Sequence, residues 1–182
     1  GIRELGERVW KWDLPPHENG LKIVGTPLGT QEFINAVVNG VVEEEKQLLE
    51  SIIKLSSLQA AWLLLYFCAV PRFNHLLRGL PPLVVQAGAV MHDQQIIDTF
   101  CTLFGIGDES SWCAQLHGVT RSTCLRQAKL PMRFAGCGLR DSTRTSHAAY
   151  WASWADCVSV LQNRFPETSA RILASLNRCE EQ

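Results

Sequence analysis

The stretch Thr30-Gln31-Glu32-Phe33-Ile34-Asn35-Ala36-Val37-Val38-Asn39-Gly40-Val41-Val42-Glu43-Glu44-Glu45-Lys46-Gln47-Leu48-Leu49-Glu50-Ser51-Ile52-Ile53-Lys54-Leu55 decides the fold class. Thr30 has the side chain of a helix N-cap, and Glu32 places its charge in the first turn, where the helix dipole favours an anion. Ile34, Val38, Val41, Leu48, Ile52 and Leu55 recur along one stripe with the glutamates mainly on the other side, the period of an amphipathic helix. Gly40 weakens this helix, and Glu45 interrupts its stripe.

Downstream the periods stay helical. Ser57 can cap a second helix, Leu58 to Val70, which is apolar almost all round and reads as the central element of the core; Pro71 ends or kinks it. A short helix from Arg72 to Arg78 is closed by Gly79 and Pro81-Pro82. Val84 to Phe104 fits one helix, with Gly88 the one position where a break is open, and Asp108 or Ser110 can cap a short helix containing Trp112 and Leu116. Thr120 opens a basic helix through Lys129. After a loop, Trp151, Trp154, Val158, Leu161 and Phe165 share a face, and Pro166 separates a last helix bearing Ile172, Leu173 and Leu176.

Upstream of Thr30 the pattern is extended. Val9-Trp10-Lys11-Trp12-Asp13-Leu14 alternates, Pro15-Pro16 and Glu18-Asn19-Gly20 turn the chain, and Leu21 to Gly25 resumes extension, so a short hairpin or edge-strand pair is expected, with Thr26-Pro27-Leu28-Gly29 as turn. The expected fold is mainly α, a multi-helix, bundle-like domain with a short N-terminal β-hairpin. Its parts are a hairpin and connector over 1–30, a helical region over 31–129, and a Gly/Arg loop with C-terminal helices over 130–182.

A composition of 46% hydrophobic and 19% charged residues over 182 positions argues for a folded domain and against disorder. The net charge of -1 hides an uneven layout: Glu43, Glu44, Glu45 and Glu50 crowd one helix, while Arg121, Arg126, Lys129, Arg133, Arg140 and Arg144 face only Asp141 in their own segment. Seven cysteines without a CxxC pair favour free thiols in a reducing compartment, so an intracellular location, nuclear or cytoplasmic, is expected. The apolar run from Leu58 to Val70 is about thirteen residues against the roughly twenty of a membrane span, which predicts a buried helix and no membrane partner. No secretory signal is visible at Gly1, and the chain reads as a piece of something longer.

Few residues carry catalytic promise. Cys113 and His117 share a helical face but lack the second pair of a tetrahedral zinc site. His92 and Asp93 are adjacent, and adjacent helical residues point apart, which argues against a base and its orienter. Gly136-Cys137-Gly138 has neither the GK[ST] ending nor the setting of a phosphate loop. No catalytic residue, metal site or cofactor is therefore expected. The Trp151/Trp154 pair could stack bases, but its shared face with Val158, Leu161 and Phe165 favours core or interdomain packing.

The basic residues are the main clue. Arg72, His75 and Arg78 repeat every three positions, and Arg121, Arg126, Lys129, Arg133, Arg140 and Arg144 cluster around the loop Leu130-Pro131-Met132-Arg133-Phe134-Ala135-Gly136-Cys137-Gly138-Leu139-Arg140. Each set alone reads as a solvated face. Together they leave phosphate contact as an equal alternative.

Two stretches read together resemble the region downstream of the catalytic palm in reverse transcriptases of non-LTR retrotransposons. Leu21-Lys22-Ile23-Val24-Gly25-Thr26-Pro27-Leu28-Gly29-Thr30 is similar to that family's K-x-L-G-x-P-x-G-S block, which leads into the thumb, with Val24 for the usual leucine. Leu130-Pro131 through Leu139 is similar to its L-P-x-R-x-G-G-L-G-L segment, with Ala135 and Cys137 departing from Gly and Leu; the run Tyr150-Trp151-Ala152-Ser153-Trp154-Ala155-Asp156 extends it. Between them, Ala60 to Leu65 followed by Pro71 to Arg78 resembles the thumb pattern of an apolar helix before a short basic one. The departure at Ala135 puts the tight turn of that segment in question.

The resemblance implies a thumb and connection region that grips an RNA/DNA template-primer alongside the palm and fingers of a parent polymerase. It also implies that the divalent metals belong to the palm, whose aspartates include a [YF]-x-D-D turn. No paired aspartate occurs in this chain, so no polymerisation is expected from it alone. A protein-interaction module, a decayed or domesticated retroelement relic, is the alternative.

Overall fold

The computed structural model describes residues 14–107 and 120–179. The expected strand at Val9 to Asp13, the Cys113/His117 pair and the short helix around Trp112 lie outside those residues. A 3-10 turn, Pro16–Glu18, leads into an antiparallel hairpin of β1 (Gly20–Ile23) and β2 (Thr26–Gly29), with Leu21 opposite Leu28 and Ile23 opposite Thr26. Thr26 to Gly29 is thus the second strand rather than the turn. The turn is the two-residue step Val24-Gly25, both at positive φ (50° and 84°), an arrangement that matches the twist of paired strands but strains a β-branched residue.

Helix α1 (Gln31–Ile53) starts where the sequence places it: Thr30 Oγ1 accepts from the Phe33 N–H and donates to the Pro16 carbonyl. Helix α2 (Leu58–Leu64) is capped by Ser57 and runs on through a π turn (Leu65–Ala69) and a 3-10 turn (Val70–Phe73) into α3 (Asn74–Gly79). The α4 helix (Pro82–Phe104) is unbroken and ends on Gly105 in the left-handed conformation. Beyond it come α5 (Arg121–Lys129), α6 (Ser142–Arg164) and α7 (Pro166–Cys179). The architecture is mainly α with an N-terminal hairpin, as the periodicity implies.

The buried face of α1 is Val37, Val38, Val42, Glu45, Leu49 and Ile52, so Glu45 belongs to the inward stripe rather than interrupting it. Val38 and Val42 pack in one cluster with Phe73, Leu76, Leu77, Val85 and Ala89. Leu49 and Ile52 pack in a second with Ala61, Leu65, Ile96 and Phe100. Between the two, Glu45 Oε2 lies 2.6 Å from His92 Nδ1, each side chain 1% exposed, and the imidazole stacks on Phe73 at 5.1 Å. Matching positions along both helices means that α1 and α4 run parallel, in close approach at Gly88. A Cβ on that glycine would sit 2.2 Å from Val38 Cγ1. This contact explains why glycine stands mid-helix without breaking it.

The core therefore centres on α1 and α4, and not on α2. In α2 and its π turn, Ala61, Leu65 and Ala69 are buried, whereas Leu58, Leu63, Leu64 and Phe67 face outward. Among the described residues one helical stretch, Leu58–Gly79, is long and apolar enough by length and composition to cross a membrane (mean hydropathy 1.2). Its inner residues Phe73, Leu76 and Leu77 are buried, while 39% of the stretch as a whole is covered.

Removing one partner of a buried hydrogen bond leaves the other's polar atoms unsatisfied and costs about 1–3 kcal/mol, whereas replacing both with apolar groups of similar shape is often nearly neutral. Urea unfolding of His92→Leu should show a loss of that size, and Glu45→Met/His92→Leu should recover most of it. Additive losses in the double variant would mean that the pair contributes no mutual compensation.

Candidate nucleic-acid interface

The loop between α5 and α6 is a compact structure closed by main-chain bonds. Gly138 N–H donates to Leu130 O (2.8 Å), Leu139 N–H to Ala128 O (3.1 Å), and the Gln127 side-chain amide to Ala135 O (2.6 Å). Leu139 is buried in the second cluster, which anchors the loop's end and fixes where Arg140 leaves it. Ala135 adopts φ 58° and ψ 27°, so the tight turn forms although alanine stands there. The left-handed conformation costs an L-residue about 1 kcal/mol relative to glycine. Gly138 is also left-handed (φ 70°), and a Cβ there would press on the Tyr66 ring at 3.3 Å.

Three carboxylate arrangements hold this loop to the rest of the fold. Asp93, one position beyond His92 on α4, accepts from Ser142 N–H (2.8 Å), Thr143 N–H (2.9 Å) and the Thr143 hydroxyl (2.8 Å), satisfying donors at the N-terminus of α6. Asp141 caps the same helix by accepting from Arg144 N–H (3.1 Å). Its other oxygen accepts from Lys129 Nζ at 2.7 Å, tying in α5. Adjacent His92 and Asp93 do point apart, one to α1 and one to α6.

The Asp93 and Asp141 carboxyls also face each other. Burial raises the Asp93 pKa, helped by its contact with Asp141 and opposed by the Thr143 and Ser142 donors. Burial pushes Asp141 up as well, but the hydrogen bonds from Lys129, Asp93 and Arg144 and the Lys129 charge outweigh it and leave its pKa lowered. Burial likewise raises the Cys137 thiol; Cys68, Cys101, Cys137 and Cys157 are free thiols.

Around this latch lies a groove of about 490 Å³, walled by Tyr66, Pro131 and Met132 on one side and by Lys129, Arg140 and Arg144 with the Lys129-bound Asp141 on the other. A smaller hollow of about 160 Å³ shares its Tyr66 and Arg140 and adds Phe67, Val70 and Pro71. Of the nine basic residues singled out in the sequence, the structure brings Lys129, Arg140 and Arg144 together here. Lys129 is committed to Asp141, while Arg140 and Arg144 have no acidic partner among the described residues.

The remaining six are dispersed. Arg72, Arg78 and Arg121 reach Glu44 (4.0 Å), Asp156 (3.1 Å) and Asp98 (3.5 Å) in separate ion pairs. His75 Nδ1 bonds to the Arg72 carbonyl (3.0 Å) beside the hairpin. Arg72 and Arg78 therefore turn to different neighbours and do not form one basic face. Arg126 is exposed on α5, and Arg133 lies over the neighbouring Phe134 ring at 4.9 Å.

Among the described residues the tryptophan stripe is only partly covered. Trp154, Val158 and Leu161 are half-buried, while Trp151 and Phe165 are 51% and 58% exposed. With Arg78 and Gly79 of α3, this part of α6 borders a second, largely apolar groove of about 470 Å³. Among the described residues no three His, Cys, Asp or Glu side chains are grouped to hold a metal ion.

Sequence reasoning missed Tyr66 and Phe67, whose place in an apolar run reads as core, and Asp93, whose partners lie about fifty residues away. Comparison with known proteins adds no relative: no family model matches the chain, and no curated protein or solved structure is significantly similar to it.

The two carboxyls contribute to stability with opposite signs. The lowered pKa of Asp141 gives stability that is present above the ordinary carboxylate range and lost as pH falls through the folded value. Asp93, raised, favours the fold most at low pH and loses that contribution as pH rises through its folded value. Asp141→Asn keeps a helix cap and removes the Lys129 pair, so it should cost about 1 kcal/mol or less near about pH 7 and progressively less toward about pH 3 in urea titrations. An equal cost at both ends would contradict this assignment.

Proposed function

We propose that this chain is a non-catalytic part of a non-LTR retrotransposon reverse transcriptase, which grips the template-primer duplex through its phosphates. The observation that carries the reading is the convergence of Arg140 and Arg144, without acidic partners among the described residues, on a groove built by the loop that resembles the family's L-P-x-R-x-G-G-L-G-L segment. The left-handed turn at Ala135 supports it, since that position is glycine in the family's block. Guanidinium groups at the end of a hydrogen-bonded loop and in the first turn of α6 suit phosphate oxygens and carry no sequence information, which is what a polymerase needs from a grip that slides along its product. In this reading the palm and fingers of the parent enzyme are its partners, and the catalytic metals and the paired palm aspartates belong to them.

Binding of an RNA/DNA hybrid should weaken steeply with salt in a filter-binding titration. Arg140→Ala or Arg144→Ala should each lower the slope of log K against log salt by about 0.9, the contribution of one released counterion. Arg78→Ala, whose native side chain is held by Asp156, should change the slope far less. No affinity even at low salt would overturn the reading.

The exposed flank of α6 favours a second reading, a protein-interaction module. Trp151, Val160 and Phe165 present apolar surface beside the Arg78 groove. Such surface would drive association of the isolated chain. Light scattering behind size exclusion should then show concentration-dependent oligomers that Trp151→Ser/Phe165→Ser abolishes, and a clean monomer at high concentration would count against it.

A further inference from the structure

We infer that the hollow formed by Tyr66, Phe67 and Arg140 receives an unpaired nucleotide, with a base on the Phe67 ring and flanking phosphates on Arg140 and Arg144. This rests on the phosphate-grip reading above and narrows it, because it gives the same groove a single-stranded ligand at one end. Phe67 is 64% exposed although it sits in an apolar helix with a covered inner face. Its ring meets Tyr66 at 4.8 Å and 90°, edge to face, a contact that holds the ring while most of its surface stays open to solvent. The hollow's about 160 Å³ gives room for one flat ring, and Arg140 lines both this hollow and the larger groove. Phe67 also lies within the π turn Leu65–Ala69, a departure from α geometry frequent at functional sites.

The ligand class follows from these neighbours. An aromatic face open to solvent can stack any base, and the adjoining guanidinium groups can hold the phosphates on either side. In a duplex the bases are paired and stacked on one another, so such a ring has nothing to engage. An unpaired strand offers the aromatic residue and the arginines a partner at once, an open base face with its flanking phosphates. A purely apolar partner would leave Arg140 and Arg144 buried without counter-charge.

Fluorescence anisotropy with a labelled pyrimidine DNA strand, the same sequence as RNA, and a DNA/RNA hybrid separates these uses in the full chain. Phe67→Ala should weaken binding of a single strand about tenfold while leaving the hybrid within about twofold, and Phe67→Trp should restore the loss. Arg140→Ala should weaken the single strands and the hybrid alike. Should Phe67→Ala leave every affinity unchanged, or weaken strand and hybrid equally, the stacking inference fails while the phosphate grip survives through Arg140→Ala. Should none of the three ligands bind at low salt, both fail, and the exposed ring belongs to a protein interface.

Discussion

The fold depends on one polar contact set between two apolar ones. Along the facing stripes of α1 and α4, valine meets valine and alanine at one end, leucine and isoleucine meet isoleucine and phenylalanine at the other, and Glu45 meets His92 between them. Apolar side chains tolerate sliding by a turn, because one aliphatic surface replaces another. A carboxylate and an imidazole, each 1% exposed, do not. The pair fixes the axial register of the two longest core helices, and the Phe73 ring stacked on His92 carries that register to the turn before α3.

One residue further along α4, the same register is passed outward. Asp93 accepts the first amides of α6, Asp141 caps that helix and holds Lys129, and the loop between α5 and α6 is drawn tight with Leu139 in the core. Arg140 and Arg144 then stand on a hydrogen-bonded frame. Two carboxyls at one helix terminus occupy its amides, so the arginines, rather than the helix dipole, supply the positive charge of the groove.

Helix periods, caps and the hairpin were legible because they are set by neighbours within a few residues: Thr30, Ser57 and Thr120 cap the helices that follow them. What escaped depends on distant partners. Glu45 looks like a flaw in its stripe until His92 is opposite, and a helix that is apolar all round gives no indication that Phe67 faces water while Ala61 does not. The arginines show the same limit. Charge spacing in the sequence groups Arg72 with Arg78, but Glu44 and Asp156, from two other helices, separate them. The candidate site was legible as a loop with basic residues, and the groove wall that Tyr66 adds to it emerges only in three dimensions.

The central claim is that nucleic acid is held at the frame between α2 and α6 and not elsewhere on the basic surface. Titrating the isotopically labelled chain with a DNA/RNA hybrid bearing a single-stranded overhang, and following backbone amide shifts by NMR, tests it directly. The account predicts perturbations concentrated on Gly138 to Thr145 and on Tyr66 to Val70. Perturbations centred on Arg78 and the Trp151 to Leu161 flank, or none at saturating hybrid, would contradict it.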